Sequence, residues 1–263
     1  MLPACASSKG QPPKAAEVSS AGQPTLAQRE ELAAAIHAHD LYAWWASDLL
    51  QSRMAERPGA GVGGWISEGD ANGGVVTFFD GSRALALARV SCESTGPASC
   101  ALVWTEGEAP TEAQAQAMRA RETAKADPRF EPAPTPYNSV TLPAEPYLGE
   151  PGWVVYWLAA TTDPDLLVMG PHFRFLVSED GSRVRRGGML TRAMVLDKTP
   201  EDLPEGAQLS TYVVTHGLDD LPAETHIWAT MLYRVPLTVM TRSGDMFQLG
   251  GEYADDEGSG AKP

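Results

Sequence analysis

The chain has 263 residues, and its 34 acidic and 20 basic side chains give a formal net charge of −14 at pH 7. Apolar residues make up 43% of the sequence, which is enough to build a packed core and excludes wholesale disorder. The acidic balance argues against a nucleic-acid-binding protein, since that class needs a basic surface to displace counterions, and no apolar run reaches the ~18 residues of a membrane-spanning helix.

The first cysteine lies in a short motif near the start of the chain. The run Leu2-Pro3-Ala4-Cys5 resembles the lipobox of bacterial lipoproteins over four residues, although Pro3 departs from the small residue that is usual there. The resemblance implies lipidation at Cys5, and it requires that the numbered chain begins inside a signal peptide. Residues 6–24 have no large apolar side chain except Val18, which predicts a flexible tether. The alternative is a cysteine without a lipid in a disordered start.

A long helix is predicted at the start of the folded part. Thr25 and Gln28 fit a capping box, and apolar side chains then recur on one face as far as about Arg57. The glycine-rich run 58–64 ends this helix and is interpreted as a flexible loop, because it lacks the Lys-Ser/Thr of a phosphate-binding loop. Strand-like runs on either side of Asp80-Gly81 predict a β-hairpin.

The other two cysteines bracket a short polar loop between strand-like runs. Neighbouring strands joined by such a loop bring Cys92 and Cys100 within the distance that a disulfide requires. A disulfide is favoured over two independent buried thiols, and no nearby histidine suggests a zinc site at these cysteines. One lipidated cysteine and one disulfide would account for all three cysteines in an oxidising compartment.

A second helix and a proline-rich segment follow. Thr111 and Gln114 form another capping box, which predicts a short helix to about Lys125. Residues 127–150 contain six prolines. This density predicts an extended connection rather than a regular element, and the chain could divide into two lobes near residues 127–151.

The second half is predicted to consist mostly of strands. Residues 153–159 are apolar at every position, which indicates a strand covered on both faces. The other predicted elements are strands at 172–177, 183–195, 209–215, 235–241 and 246–249, and a helix at 221–234. Residues 25–251 are therefore predicted to be a single α+β domain, an antiparallel sheet with a long N-terminal helix and two shorter helices packed at its side. The acidic tail, 252–263, is predicted to be disordered.

Three histidines and one acid are the candidate metal ligands. His172, His216 and His226 occur in the same part of the sequence as Glu224, and zinc prefers imidazole and carboxylate ligands and can catalyse hydrolysis when one position stays open. The spacing differs from the helical His-Glu-x-x-His arrangement, and Glu224 and His226 lie about 200° apart around a helix. The alternative is a structural role, in which Glu224 stabilises a helix N-terminus and the histidines bond to loop carbonyls. No Gly-x-Ser-x-Gly motif is present, so no catalytic residue is assigned.

Several runs in the second half carry a resemblance to other proteins. These runs are 152–161, 172–175, 214–216 with His226, and 236–239. Residues 152–251, which contain them, resemble uncharacterised secreted or envelope proteins of Gram-negative bacteria. The resemblance implies an exported location and no particular activity.

Three functions are compatible with these features. The favoured hypothesis is a non-enzymatic envelope lipoprotein that binds a protein or a cell-wall component, lies in the periplasm and is anchored to the outer membrane through Cys5. The second is a periplasmic metal-dependent hydrolase that uses His172, His216 and His226, with Glu224 as general base or ligand. The third is an inhibitor or immunity-type protein whose acidic surface steers a basic partner.

Overall fold

The computed structural model describes residues 23–105, 107–198 and 210–250, and it confirms the α+β class. The helices are α1 (Leu26–Arg53), α2 (Glu112–Lys125), α3 (Glu145–Leu148) and α4 (Glu224–Tyr233). The strands are β1 (Val62–Gly69), β2 (Gly73–Asp80), β3 (Ala86–Glu93), β4 (Ala101–Trp104), β5 (Tyr137–Pro143), β6 (Trp153–Ala159), β7 (Leu166–Val177), β8 (Val184–Asp197), β9 (Tyr212–His216), β10 (Leu237–Thr241) and β11 (Met246–Leu249). Cys5, residues 6–22 of the tether and the tail 252–263 lie outside the described residues. No helix in the described part is long and apolar enough to cross a membrane.

Helix α1 begins at the predicted capping box and joins the two halves of the fold. The Gln28 amide donates to the Thr25 hydroxyl, and the Thr25 amide donates to the Gln28 side chain. The N-terminal half of α1 buries Leu32 and Ile36 in a core shared with β5–β7, α4 and β9–β10. Its C-terminal half packs against β2 and β3 instead. Burial on two sheets therefore stabilises the helix over its whole length.

The first sheet, sheet A, is an antiparallel meander in the order β1-β2-β3-β4. A disulfide joins Cys92 at the end of β3 to Cys100, which directly precedes β4, as predicted. The interpretation of residues 58–64 as a loop is wrong for its last three residues, which belong to β1. Gly63 is required there because a Cβ atom would lie 2.3 Å from the backbone carbonyl oxygen of Asp80, the last residue of β2.

The second sheet, sheet B, has the order β5-β6-β7-β8 and is antiparallel throughout. One face, with Phe173 and Phe175, packs against Ala120 and Ala124 of α2. The other face, with Tyr156, packs towards α1 and α4. Strand β6 is therefore covered on both sides, as its continuous apolar run predicted.

The prediction of an extended connection over residues 127–150 is wrong, because this segment contains β5 and α3. β5 is an edge strand, where one side of the backbone needs no ladder partner. An edge strand tolerates proline, and Pro143 is the last residue of β5. The proline density therefore marks the two ends of a strand rather than the absence of one.

The third sheet, sheet C, has the order β11-β10-β9. β10 pairs with β11 in antiparallel fashion but with β9 in parallel. The prediction of one antiparallel sheet is therefore wrong at this pair and in the number of sheets. The physical reason is α4, which lies between β9 and β10 in the chain and returns it to the same end of the sheet.

Candidate functional site

The four candidate metal ligands lie together in a buried cluster at the start of α4. His172 is in β7, His216 is the last residue of β9, and Glu224 and His226 lie in the first turn of α4. None of the four is more than 4% exposed. The rings of His216 and His226 are 4.9 Å apart between centroids, and the His172 ring contacts Trp228 at 5.4 Å.

The carboxylate of Glu224 is bound by two side chains of sheet B. Its Oε1 atom accepts hydrogen bonds from the Tyr156 hydroxyl at 2.9 Å and from the Arg174 guanidinium at 2.6 Å. Tyr156 and Arg174 are paired across β6 and β7, so the sheet presents both donors on one face. Burial by itself raises the pKa of Glu224, but the Arg174 charge and several hydrogen bonds outweigh it and lower the pKa overall. The cluster therefore holds an ionised carboxylate paired with an ionised guanidinium.

Two histidines of the cluster, His172 and His226, accept hydrogen bonds from backbone amides. Nδ1 of His226 accepts from the Ala223 amide at 3.1 Å, and Nδ1 of His172 accepts from the Ala159 amide at 3.0 Å. Burial lowers the pKa of His172 to about 3, and burial, followed by the neighbouring His216, lowers the pKa of His226 well below its ordinary value. With Nδ1 accepting, the proton of a neutral ring lies on Nε2.

The arrangement of these side chains does not favour metal binding. Within residues 23–105, 107–198 and 210–250, no group of three or more His, Cys, Asp or Glu side chains is placed to hold a metal ion. Glu224 directs Oε1 to Arg174 and Tyr156, and two of the three imidazoles use Nδ1 for backbone amides. The hypothesis of a zinc site at His172, His216, His226 and Glu224 therefore gains no support from the geometry.

One buried arginine of the N-terminal helix binds the segment that precedes α4. Arg29 of α1 is 2% exposed. Its guanidinium donates to the carbonyls of Pro24, Leu221 and Pro222 and forms an ion pair with Asp219 at 2.6 Å. The loop before α4 is thereby held against α1. The network of Arg29 therefore joins α1 to the segment that leads into α4.

A surface depression lies beside the buried cluster. It has a volume of about 600 Å³ and opens to solvent where β7, β8, the segment after α2 and the loop after β9 meet. Six of its lining residues are apolar: Pro132, Ala133, Pro171, Met189, Ala193 and Leu218. The other two are Glu131 and Arg192. We refer to these eight residues as the β8 depression.

Two charged residues, Glu131 and Arg192, line the β8 depression. Arg192 is exposed, and it forms no ion pair or side-chain hydrogen bond with any residue that the structure describes. Glu131 likewise has no described ion-pair partner. Pro171 directly precedes the buried His172, and Leu218 follows His216 by two residues. The depression therefore adjoins the cluster along the chain, but none of the histidines lines it.

The sequence also contains signals that indicate Arg174 and the arginines of residues 183–196, although these residues were not among the predicted site residues. Arg174 interrupts an otherwise apolar strand on the side that faces the core, and a charge in that position requires a buried partner such as Glu224. Residues 183–196 contain four arginines and no acidic residue, in a chain with a net charge of −14. Charge patterning along the chain would have singled out this strand.

Comparisons of the chain with protein-family models, with curated proteins and with solved structures gave no match. The resemblance of residues 152–251 to envelope proteins therefore stays a prediction.

Proposed function

We propose that the chain is a non-enzymatic binding protein of the cell envelope, and that its ligand is an apolar group bearing a carboxylate, held in the β8 depression. The observation that carries this proposal is Arg192, which has no ion pair with a described residue and lies in a depression whose other walls are mostly apolar. Binding sites of this type combine apolar walls with a few polar groups that fix the orientation of the ligand. A guanidinium fits a carboxylate with two parallel hydrogen bonds.

The second charge narrows the class of ligand. Glu131 lies in the same depression as Arg192, and its carboxylate repels a ligand with several negative charges. A polyphosphate or a nucleic acid is therefore disfavoured, whereas a group with one carboxylate is suited to the site. A peptide with an apolar side chain and an acidic group has this chemistry, and so has a cell-wall peptide.

The burial of the histidine and glutamate cluster supports binding rather than catalysis. Glu224, His172, His216 and His226 are each at most 4% exposed. A ligand in the depression does not meet an exposed acid, base or nucleophile from this set. The hydrogen bonds of Glu224 instead join α4 to β6 and β7.

Binding of N-acetyl-L-leucine, an apolar side chain with one carboxylate, tests this proposal. At about −0.3 kcal/mol per non-hydrogen atom, its twelve such atoms predict a dissociation constant of about 2 mM. We expect Arg192→Gln to weaken binding about tenfold or more, because a charged hydrogen bond is lost. The measurement is isothermal titration calorimetry at low ionic strength.

Two matched controls define the result. Arg183→Gln removes an exposed arginine that directly precedes β8 and lies outside the depression, and it is expected to leave binding unchanged. N-acetyl-L-leucinamide has the same side chain without the charge and is expected to bind as weakly as the acid binds to the Arg192→Gln variant. Equal binding of the acid and the amide would show that Arg192 does not recognise the carboxylate.

The envelope location is a separate part of the proposal. It is supported by the Cys92–Cys100 disulfide, because disulfides persist mainly in oxidising compartments. Lipidation at Cys5 is expected to place the protein in the membrane fraction, and Cys5→Ser in the precursor is expected to move it to the soluble fraction. Mass spectrometry of the wild-type protein checks the lipid directly. An unmodified Cys5 and identical fractionation of the two proteins would refute the anchor.

A further inference from the structure

The free edge of sheet B runs along the same strand that carries Arg192. β8 pairs with β7 on one side and is the last strand in the order β5-β6-β7-β8. No described element pairs with its other side. Apart from the ladder with β7, no hydrogen bond to a backbone group of residues 188–196 is found among the described residues. An unpaired edge of this length presents a row of amides and carbonyls to which an extended chain can add.

The charge of this edge contrasts with the rest of the molecule. Arg183, Arg185, Arg186 and Arg192 occur without any acidic residue between positions 183 and 196. Glu150 pairs with both Arg185 and Arg186, so its single negative charge offsets only one of these two positive charges. Arg183 and Arg192 form no ion pair with a described residue. The edge therefore keeps a positive charge on a chain whose formal net charge is −14.

We propose that an extended acidic peptide segment binds by adding a strand to the free edge of β8, with an apolar side chain in the β8 depression and a carboxylate on Arg192. This inference rests on the proposed function, because it specifies the ligand of the same site. Main-chain hydrogen bonds along β8 supply affinity that is independent of sequence, and the depression and the arginines select the side chains. A peptide strand without acidic residues is disfavoured at this edge, because it leaves the guanidinium groups without a compensating charge.

The test uses the full chain and a fluorescein-labelled octapeptide, TETLTETV, whose leucine and two glutamates lie on one face of an extended strand, so that the leucine enters the β8 depression while a glutamate reaches Arg192. Two further peptides carry N-methyl groups on alternate residues. One is methylated at the odd-numbered positions and the other at the even-numbered positions. An added strand turns only every second amide towards β8. We therefore expect one methylated peptide to bind at least about tenfold more weakly than the parent, and the other to bind within about twofold of it. Fluorescence anisotropy is the measurement.

Charge reversal separates the contribution of the arginines from that of the backbone. Arg192→Glu is expected to weaken binding of the octapeptide at least about tenfold. A second octapeptide has lysines in place of the glutamates, and we expect the Arg192→Glu variant to bind it better than the wild type does. Arg183→Gln is expected to weaken binding of the octapeptide but not of N-acetyl-L-leucine. Circular dichroism of each variant verifies that the fold is retained.

The outcomes distinguish this inference from the proposed function. Equal binding of both methylated peptides, or no saturable binding of the octapeptide, would overturn strand addition. If N-acetyl-L-leucine still binds in an Arg192-dependent manner, only the strand addition fails. If neither ligand binds, the proposed function fails with it.

Discussion

Replacing Glu224 with Gln is expected to lower the free energy of unfolding by about 3 kcal/mol, because it leaves the buried Arg174 charge without its partner. Glu224 is fully buried, and the Arg174 side chain is 14% exposed, so solvent relieves the loss only in part. Tyr156 also loses an ionised acceptor in this variant. Urea unfolding, followed by circular dichroism, measures the change.

A matched pair of variants tests the physical reason for this effect. Glu150→Gln removes an acid that pairs with two arginines near the surface, and the expected loss is below about 1 kcal/mol. Adding Arg174→Met to Glu224→Gln removes the unpaired charge and is expected to recover part of the stability. A loss below about 1 kcal/mol for Glu224→Gln, equal to that of the surface control, would contradict the buried ion pair.

Removing the Cys92–Cys100 disulfide is expected to lower the free energy of unfolding by about 2.5 kcal/mol, the loop-closure entropy of a cross-link between residues eight positions apart. Cys92 lies in the core beneath α1, so replacing it with Ala also leaves a small cavity. The double variant Cys92→Ala/Cys100→Ala is compared with the wild type by urea unfolding.

Reduction of the wild-type protein separates the cross-link from the cavity. The reduced protein keeps both sulfur atoms, so its loss of stability reports the cross-link alone, and we expect it to be smaller than that of the double variant. The Ser99 hydroxyl bonds to the Glu93 amide and the Gly96 carbonyl, so the loop has local contacts that survive reduction. Identical stability of the oxidised and reduced proteins would contradict the prediction.

Local signals in the sequence predicted elements whose cause is also local. The capping boxes at Thr25 and Thr111 are both formed, because the residues that make them are three positions apart. The turn at Asp80-Gly81 and the disulfide were likewise predicted from short stretches. In each case the neighbours in the chain supply the contacts that decide the structure.

Elements that depend on distant partners could not be predicted in this way. β1 contains two consecutive glycines, and the need for Gly63 is explained by the close approach of the Asp80 carbonyl oxygen of β2, seventeen positions away in the chain. β5 is recognised as a strand only when its pairing with β6 is known. Because pairing across sheets and the number of sheets depend on long-range contacts, the sequence pattern alone left them undetermined.

The candidate site was likewise predicted only in part from the sequence. The sequence identified His172, His216, His226 and Glu224 as a group, and the structure places them in one cluster. The sequence did not reveal that Glu224 is bound by Arg174, since the two residues lie fifty positions apart and meet only through the packing of α4 on sheet B. The β8 depression is likewise assembled from four separate parts of the chain.

The most direct test of the central claim is a ¹H–¹⁵N NMR titration of the full chain with N-acetyl-L-leucine. Binding in the β8 depression predicts that the largest changes occur at the amides of Met189, Arg192 and Ala193 and at the Arg192 side-chain Nε–H. The amides of sheet A are predicted to be unaffected. Changes centred on sheet A, or changes of the same size with N-acetyl-L-leucinamide, would contradict the assignment of this depression as a carboxylate-binding site.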